Sequence, residues 1–333
     1  MAQRRIPPVF IDPSTNEEYR VLQQLSLRMS GTVFKAVGPQ GDVALKAWYP
    51  GYQHMFHNDN NTRSRFQHRG VLSIRAIFQH EEYFCQVLPW CAKQSVRDVA
   101  ETKDGGKFDG LEARAILQQV AVVMAAMHKK DQVHGSIQPS NILLDGEGRV
   151  RVNDFCLAQR NVHSVTALIG GRRGNRTYLP PERLVTPHLY GKGADAWAFG
   201  TLMFEMLVGH PPKRNGKTQE VVFGSDIRGL SQPAFDLIKG LLLPNPYKRL
   251  DFPMVLQHPF IRGHNGEHRP KRGQDQGAGK PKKKERQQEA SQVTDTAIQG
   301  QAETAEAAST ALDELTTEEL IAFLITPTGD LSQ

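Results

Sequence analysis

The eight residues from 134 to 141 read His-Gly-Ser-Ile-Gln-Pro-Ser-Asn, and they carry more structural information than any other part of the chain. They follow residues 111–130, where apolar side chains recur at the spacing of one helical face. Within them, Ser136, Gln138 and Asn141 are polar but uncharged at neutral pH. The stretch is therefore a polar loop without a carboxylate that can take up a proton.

Length and composition favour one large domain or two modest ones. The chain has 333 residues, of which 39% are hydrophobic, and this is enough for a substantial core. Its three cysteines, Cys85, Cys91 and Cys156, are too few for a disulfide framework and indicate a reducing compartment. The start lacks the apolar run of a signal peptide, and the most apolar later stretch, 194–208, is too short to span a bilayer. We expect a protein of the cytoplasm or nucleus that does not contact membranes.

Charge is strongly segregated along the chain and divides it into segments. Residues 1–261 contain 32 basic and 23 acidic side chains, residues 262–286 contain 9 and 3, and residues 287–333 contain no Lys or Arg and 9 acidic side chains. Like-charge blocks of this kind are typical of solvated tails. We therefore predict an N-terminal extension at 1–18, a globular domain at 19–262, and a basic-then-acidic flexible tail at 263–333.

The predicted elements change in type along the globular domain. Its first part has strand patterns, a polar helix at 53–67 and a turn at 38–42, and its second part has helical patterns. The strand patterns lie at 19–27, 32–37, 43–48, 72–78 and 83–88, and the later helices at 111–130, 195–208 and 233–243. The order predicts an α+β fold in two lobes, a β-rich lobe at 19–91 and a helical lobe at 92–262.

Six short motifs together resemble those of eukaryotic-type Ser/Thr protein kinases. They are Val-Ala-Leu-Lys at 43–46, the loop at 134–141, Asp-Phe-Cys at 154–156, Pro-Pro-Glu at 180–182, Asp-Ala-Trp-Ala-Phe-Gly at 195–200, and Arg249. Each motif alone is weak, because short patterns recur by chance, but their order over the whole domain is specific. The resemblance implies the bilobal protein kinase-like fold and an ion pair between Arg249 and Glu182.

The loop at 134–141 departs from the family pattern where the chemistry is done. In the family it reads H-R-D-x-K-P-x-N, and the Asp acts as the catalytic base. Here Ser136 stands in place of that Asp, Gln138 in place of the Lys and Gly135 in place of the Arg. Asn175 stands where the family has a threonine that ties the activation segment to this site. The resemblance therefore implies a pseudokinase.

The phosphate-binding side of the predicted cleft is partly retained. Lys46 matches the lysine that pairs with the nucleotide phosphates, and Asp59 lies near the position of the glutamate that holds it. Asp59 either pairs with Lys46 or is a solvated residue. In the glycine-rich loop only Gly31 remains, and Arg28 occupies the middle position, where it either obstructs phosphates or offers them a cation. The plainer interpretation of this stretch is a β-turn that no longer holds a nucleotide tightly.

The resemblance also implies adenine and metal contacts. Val33, Ala44 and Leu143 match the residues that enclose the base, with Leu88 as gatekeeper and Cys91 in the hinge. Asn141 and Asp154 match the two ligands of Mg²⁺, which prefers hard oxygen atoms; both can also serve only to hold the loop backbone. The expectation is ATP with Mg²⁺, bound weakly or not at all.

The tail offers two features outside the family pattern. Residues 282–286 are basic and match a nuclear-import or nucleic-acid patch, but no aromatic residue lies nearby for base stacking, so we expect a linker and no nucleic-acid partner. Residues 316–326 have capping-box spacing followed by an apolar stripe and predict a short helix. Such a helix suits a groove on a protein partner or on the chain's own helical lobe.

Two functions follow as hypotheses. The first is a pseudokinase that acts as a scaffold or allosteric regulator in signalling, with or without bound ATP, through protein partners that contact the helical lobe and the tail. The second is an active but atypical ATP-dependent Ser/Thr protein kinase that takes its base from elsewhere.

Overall fold

The computed structural model of the chain describes residues 6–160, 162, 167–168, 174–185 and 189–263. Its strands are β1 (Val9–Ile11), β2 (Glu18–Arg28), β3 (Gly31–Gly38), β4 (Gly41–Trp48), β5 (Ala76–His80), β6 (Tyr83–Pro89), β7 (Ile142–Leu144), β8 (Val150–Val152), β9 (Ala167–Leu168) and β10 (Leu189–Tyr190). Its helices are α1 (Gln53–Arg65), α2 (Val96–Glu101), α3 (Gly110–Lys129), α4 (Pro181–Val185), α5 (Lys192–Val208), α6 (Gln232–Leu241), α7 (Phe252–Gln257) and α8 (Pro259–Arg262). The predicted basic run at 282–286 and the predicted helix at 316–326 lie outside the described residues.

The N-terminal lobe is an antiparallel sheet with α1 beside it. The strand order is β1-β2-β3-β4-β6-β5, so four of the five pairings join consecutive strands and the fifth joins β4 to β6. One face carries a cluster of fully or nearly fully buried side chains that includes Phe10, Phe34 and Leu45. The sequence predicted this α+β architecture with a β-rich first lobe and a helical second lobe, and the fold is confirmed.

Two boundaries in this lobe differ from the sequence prediction. The predicted N-terminal extension at 1–18 contains β1, which pairs with β2 and buries Phe10 completely, so this part of it belongs to the sheet. The strand predicted at 72–78 begins only at Ala76. Residues before it cross to the other lobe, where Leu72 N donates to the carbonyl of Val152, and this contact takes them out of the sheet.

The C-terminal lobe is organised around α3 and α5. The apolar residues at helical spacing in the predicted helix 111–130 are buried in α3, namely Ile116, Leu117, Val120, Val123, Met124 and Met127. Asp109 caps the helix in a capping box with Glu112. By length and composition alone α3 is apolar enough to cross a membrane, but its apolar face packs inside this lobe. Helix α5 is buried along most of its length and ends at Gly209, whose φ of 94° suits a left-handed helix end.

A buried ion pair ties α4 to the end of the lobe, as the sequence predicted. Arg249 donates to both carboxylate oxygens of Glu182 at 2.6 and 2.7 Å, and only 1% of its side chain is exposed. Its remaining donors reach the carbonyl oxygens of Gly193, Leu243 and Pro244. A buried guanidinium is stable only when its donors are satisfied in this way.

The hairpin between β2 and β3 stands over the cleft between the lobes. Arg28 pairs with Gly31, so the connection consists of Met29 and Ser30 alone, and Met29 is 85% exposed. Gly31 is required by packing, because a Cβ there would overlap the carbonyl oxygen of Ala47 on β4. The retained glycine therefore serves the approach of two strands, and the hairpin has the plain turn geometry that the sequence favoured.

We expect Gly31→Ala to lower the free energy of unfolding by about 1–3 kcal/mol, the usual cost of overpacking a close contact. Urea unfolding followed by tryptophan fluorescence measures the change. Gly146→Ala is the matched control, because a Cβ at Gly146 meets nothing within 4 Å, and we expect it to stay within about 0.5 kcal/mol of the wild type. Equal stability of the two variants would contradict this account of Gly31.

Candidate functional site

A cleft between the two lobes collects most of the residues that the sequence singled out. Nine of them line it: Arg28, Val33, Ala44, Lys46, Leu88, Cys91, Asn141, Leu143 and Asp154. Gly31 and Asp59 do not line it. Ser136 and Gln138 lie in a small neighbouring pocket together with Asn175 and Tyr178.

One end of the cleft is apolar. Leu88 and Cys91 are buried there, and Ala44 and Leu143 pack against them from the two lobes. Burial raises the pKa of the Cys91 thiol to about 11, so it stays protonated at neutral pH and acts as a small apolar side chain. The aliphatic lining of this end suits a flat aromatic base by its chemistry.

The opposite end is built on the pair between Lys46 and Asp154. The Lys46 ammonium donates to Oδ1 of Asp154 at 2.7 Å and lies 3.9 Å from the centroid of the Trp48 ring. Burial by itself would raise the pKa of Asp154, but Lys46 and Arg28 outweigh it and hold that pKa well below its usual value. Asp154 is therefore ionised at neutral pH and joins the two lobes.

Asp59 has a different role from either of its two sequence interpretations. It is completely buried, so it is not a solvated residue, and its ion pair is with Arg63 at 2.7 Å instead of with Lys46. It also accepts hydrogen bonds from Gln86 Nε2 at 2.8 Å and from the backbone N–H of Phe155 at 2.6 Å. Asp59 therefore holds the chain next to Asp154, and the ion pair of Lys46 is with Asp154.

Arg28 reaches across the cleft to the same carboxylate. Its Nη1 donates to Oδ2 of Asp154 at 2.8 Å, and its Nη2 donates to Oδ1 of Asn141 at 3.4 Å. The two predicted Mg²⁺ ligands thus share one guanidinium. The oxygen atoms suit Mg²⁺ by type, but this arrangement does not fit the ion, because Arg28 lies where it would bridge them.

The backbone of the loop at 134–141 is hydrogen-bonded to Asp195 at the start of α5. Its carboxylate accepts from the backbone N–H groups of His134 at 2.8 Å and Gly135 at 3.0 Å, and its Oδ2 lies 3.0 Å from His128 Nε2. Gly135 has a φ of 78°, and a Cβ there would lie 2.6 Å from the carbonyl oxygen of Leu157. The glycine in place of an arginine therefore fits a backbone position that excludes side chains.

The polar side chains of this loop at the family's catalytic positions form hydrogen bonds with neutral partners. Asn141 Nδ2 donates to the carbonyl of Ser136 at 2.7 Å and to its Oγ at 2.9 Å. Asn175 Nδ2 donates to Oε1 of Gln138 at 3.0 Å. The predicted juxtaposition of Asn175 with the loop is present, and the two pairs, Asn141 with Ser136 and Asn175 with Gln138, are each formed by neutral side chains.

Several residues of this site were not identified from the sequence. Arg63 pairs with Asp59 and also donates to the carbonyl of Leu72 and to Oδ1 of Asn153. Asn58 Nδ2 lies 3.0 Å from the carbonyl of Cys156 and 2.9 Å from that of Ala158. The spacing of four residues between Asp59 and Arg63 on a predicted helix was the available signal.

We expect Asp59→Asn to lower the free energy of unfolding by about 3–5 kcal/mol, because it leaves the buried Arg63 guanidinium without its counter-charge. Burial would raise the pKa of Asp59, but Arg63 and then Lys46 lower it below its usual value. The unfolded state then binds more protons, so the stability from this group is lost as pH falls below about 4. Urea unfolding between neutral and acid pH should show a shallower acid loss in the variant.

Asp236→Asn is the matched control for this experiment. Asp236 is an exposed residue of α6 that accepts from Gln232 on the same helix, so its loss should change stability by less than about 0.5 kcal/mol. Equal effects of the two substitutions at neutral pH would contradict the role given to Asp59.

Comparison with known proteins gives the same family as the motifs. The family described as "Protein kinase domain" matches residues 29–261. Aurora kinase C from Mus musculus is 28% identical over 238 residues, which cover 67% of this chain and 83% of that protein. Serine/threonine-protein kinase PLK4 from Drosophila ananassae is 31% identical over 265 residues, which cover 74% of this chain and 34% of that protein. This chain belongs to the protein kinase family, among the eukaryotic-type Ser/Thr kinases.

Proposed function

We propose that the protein is a pseudokinase that works by binding instead of by phosphoryl transfer. The observation that carries the proposal is the state of Ser136. Its hydroxyl stands at the family's base position and accepts a hydrogen bond from Asn141, with which it forms a neutral cluster. A serine hydroxyl has no charge at neutral pH and cannot take the proton of a substrate hydroxyl as a carboxylate does.

The carboxylates that contact this region are engaged in other roles. Asp195 accepts from two backbone N–H groups of the loop, and Asp154 is shared by Lys46 and Arg28. Both are buried, so moving Asp195 to the base position would break its hydrogen bonds to the loop backbone, and moving Asp154 would break its ion pairs with Lys46 and Arg28. The supply of a base from elsewhere, which an atypical active kinase requires, therefore has no support among these contacts.

The transition state would also lack a cation on the loop. In kinases, charge that builds up on the transferring phosphoryl group is stabilised by fixed positive charges. Gln138 offers an amide at this position, and its Oε1 already accepts from Asn175. A positioned base alone is worth about 10²–10⁴-fold in rate, and the missing cation lowers the rate further.

The cleft itself supports a retained binding function for an adenine nucleotide. Its apolar end is lined by Leu88, Cys91 and Leu143, and its polar end presents the cations Lys46 and Arg28. A flat base at one end and phosphates at the other match this division of chemistry. In this proposal the nucleotide stabilises one relative orientation of the two lobes, and a protein partner binds to that orientation. The protein would then act as a scaffold or an allosteric regulator.

We expect the full chain to transfer no more phosphate from γ-labelled ATP with Mg²⁺, to itself or to a generic protein substrate, than Lys46→Ala does. The reason is the absence of a base at Ser136, against a typical kinase turnover of about 1–100 per second. Autoradiography of both reactions, beside an active Ser/Thr kinase as positive control, measures the transfer.

The opposite result has a clear meaning in this experiment. If the wild type transfers labelled phosphate and Lys46→Ala does not, the pseudokinase proposal is contradicted and the protein is an atypical active kinase. Label equal in both proteins would come from a contaminating kinase, and it leaves the expected result unchanged.

A further inference from the structure

The hairpin places a fixed positive charge inside the cleft. Arg28 is the last residue of β2, and the two-residue turn after it sets the direction in which its side chain leaves the sheet. From there the guanidinium spans the cleft to Asp154, which is 126 residues away in the chain. The Arg28 side chain is 38% exposed and the Asp154 side chain 6%, so the guanidinium contacts a buried carboxylate and still faces the open cleft.

The contacts of Arg28 are those that a bridging cation would make. One terminal nitrogen lies on the Asp154 carboxylate and the other on the Asn141 amide oxygen. The Asn141 amide nitrogen is directed the other way, to Ser136, and this orients its oxygen towards Arg28. A metal ion held by the same two oxygen atoms would therefore have to displace the guanidinium first.

The charge balance of the site points in the same direction. Lys46 and Arg28 carry positive charge and both pair with the single negative charge of Asp154, whereas Arg63 and Asp59 form a separate ion pair outside the lining of the cleft. One positive charge is left over at this end of the cleft; Asp98, the other carboxylate of the lining, accepts from the backbone N–H and the hydroxyl of Ser95. A dication added to this group meets net repulsion, whereas a polyphosphate meets net attraction.

We propose that the Arg28 guanidinium takes the place of the divalent cation, so that the cleft binds a nucleoside triphosphate without metal. The inference rests on the proposed nucleotide-binding function and states how that function works. A guanidinium is planar, always charged and well matched to phosphate oxygens, and Arg28 has donors left after its bonds to Asp154 and Asn141. The phosphates then contact Lys46 and Arg28, and the nucleotide is bound as the metal-free anion.

The test is calorimetric titration of ATP into the full chain, once with excess EDTA and once with excess MgCl₂. We expect ATP to bind at least as tightly in EDTA as with Mg²⁺. Arg28→Gln should weaken binding in EDTA by about 10–100-fold, as expected for the loss of a charged hydrogen bond. Adding Mg²⁺ should restore much of this loss, because the oxygen atoms of Asp154 and Asn141 become available to the metal.

Arg20→Gln is the matched control, and Mn²⁺ provides a second measurement. Arg20 is exposed on the same strand, so its substitution changes the net charge equally without touching the cleft. It should leave both affinities unchanged. The electron paramagnetic resonance signal of Mn²⁺ in the presence of ATP should show no protein-bound metal for the wild type and bound metal for Arg28→Gln.

Each remaining outcome overturns a different statement. Tight binding of ATP by the wild type only with Mg²⁺ would overturn metal replacement and leave nucleotide binding intact. If Arg28→Gln binds ATP more tightly than the wild type in both solutions, Arg28 blocks the cleft, which also overturns the inference. Absence of binding for all three proteins in both solutions would overturn the proposed nucleotide-binding function together with it.

Discussion

The way the two lobes meet at the cleft depends on the ion pairs of the buried Asp154 carboxylate. Lys46 from the N-terminal lobe and Arg28 from the hairpin both donate to it. An isolated buried carboxylate would be strongly destabilising, so these two cations and the carboxylate must stay together. The sheet, the hairpin and the loop after β8 are thereby joined at one carboxylate in the cleft.

A second, uncharged network sits beside this charged one and explains why the loop residues changed together. Asn141 donates to Ser136 and Asn175 donates to Gln138, so neutral side chains pair here, and only the Asn141 amide oxygen meets a charge, that of Arg28. None of these four side chains could supply a counter-charge to a charged residue placed among them. The charged network suits the binding of an anion, and the neutral network does not suit the transfer of a phosphoryl group. The separation of these two properties is the basis for a binding role.

Most of the fold and part of the site could be predicted from the sequence. The strands, the long helices and the ion pair of Arg249 with Glu182 follow from periodicity, turn residues and motif order, all of which are local or family-wide patterns. The partners of Asp59 could not be predicted in the same way. Gln86 and the backbone of Phe155 come from distant parts of the chain, and only packing of α1 against both brings them to one carboxylate.

The sequence by itself determined which charges were missing, because the absence of an aspartate at Ser136 and of a lysine at Gln138 is a matter of residue identity. Only the tertiary structure decided how the remaining charges are shared. Lys46, Asp59, Arg28 and Asp154 allowed several pairings, and the choice depended on side-chain reach across a cleft whose width the sequence does not state. The short side chain of Asp59 bonds to its own helix and to the Phe155 backbone, and the long side chain of Arg28 spans the gap.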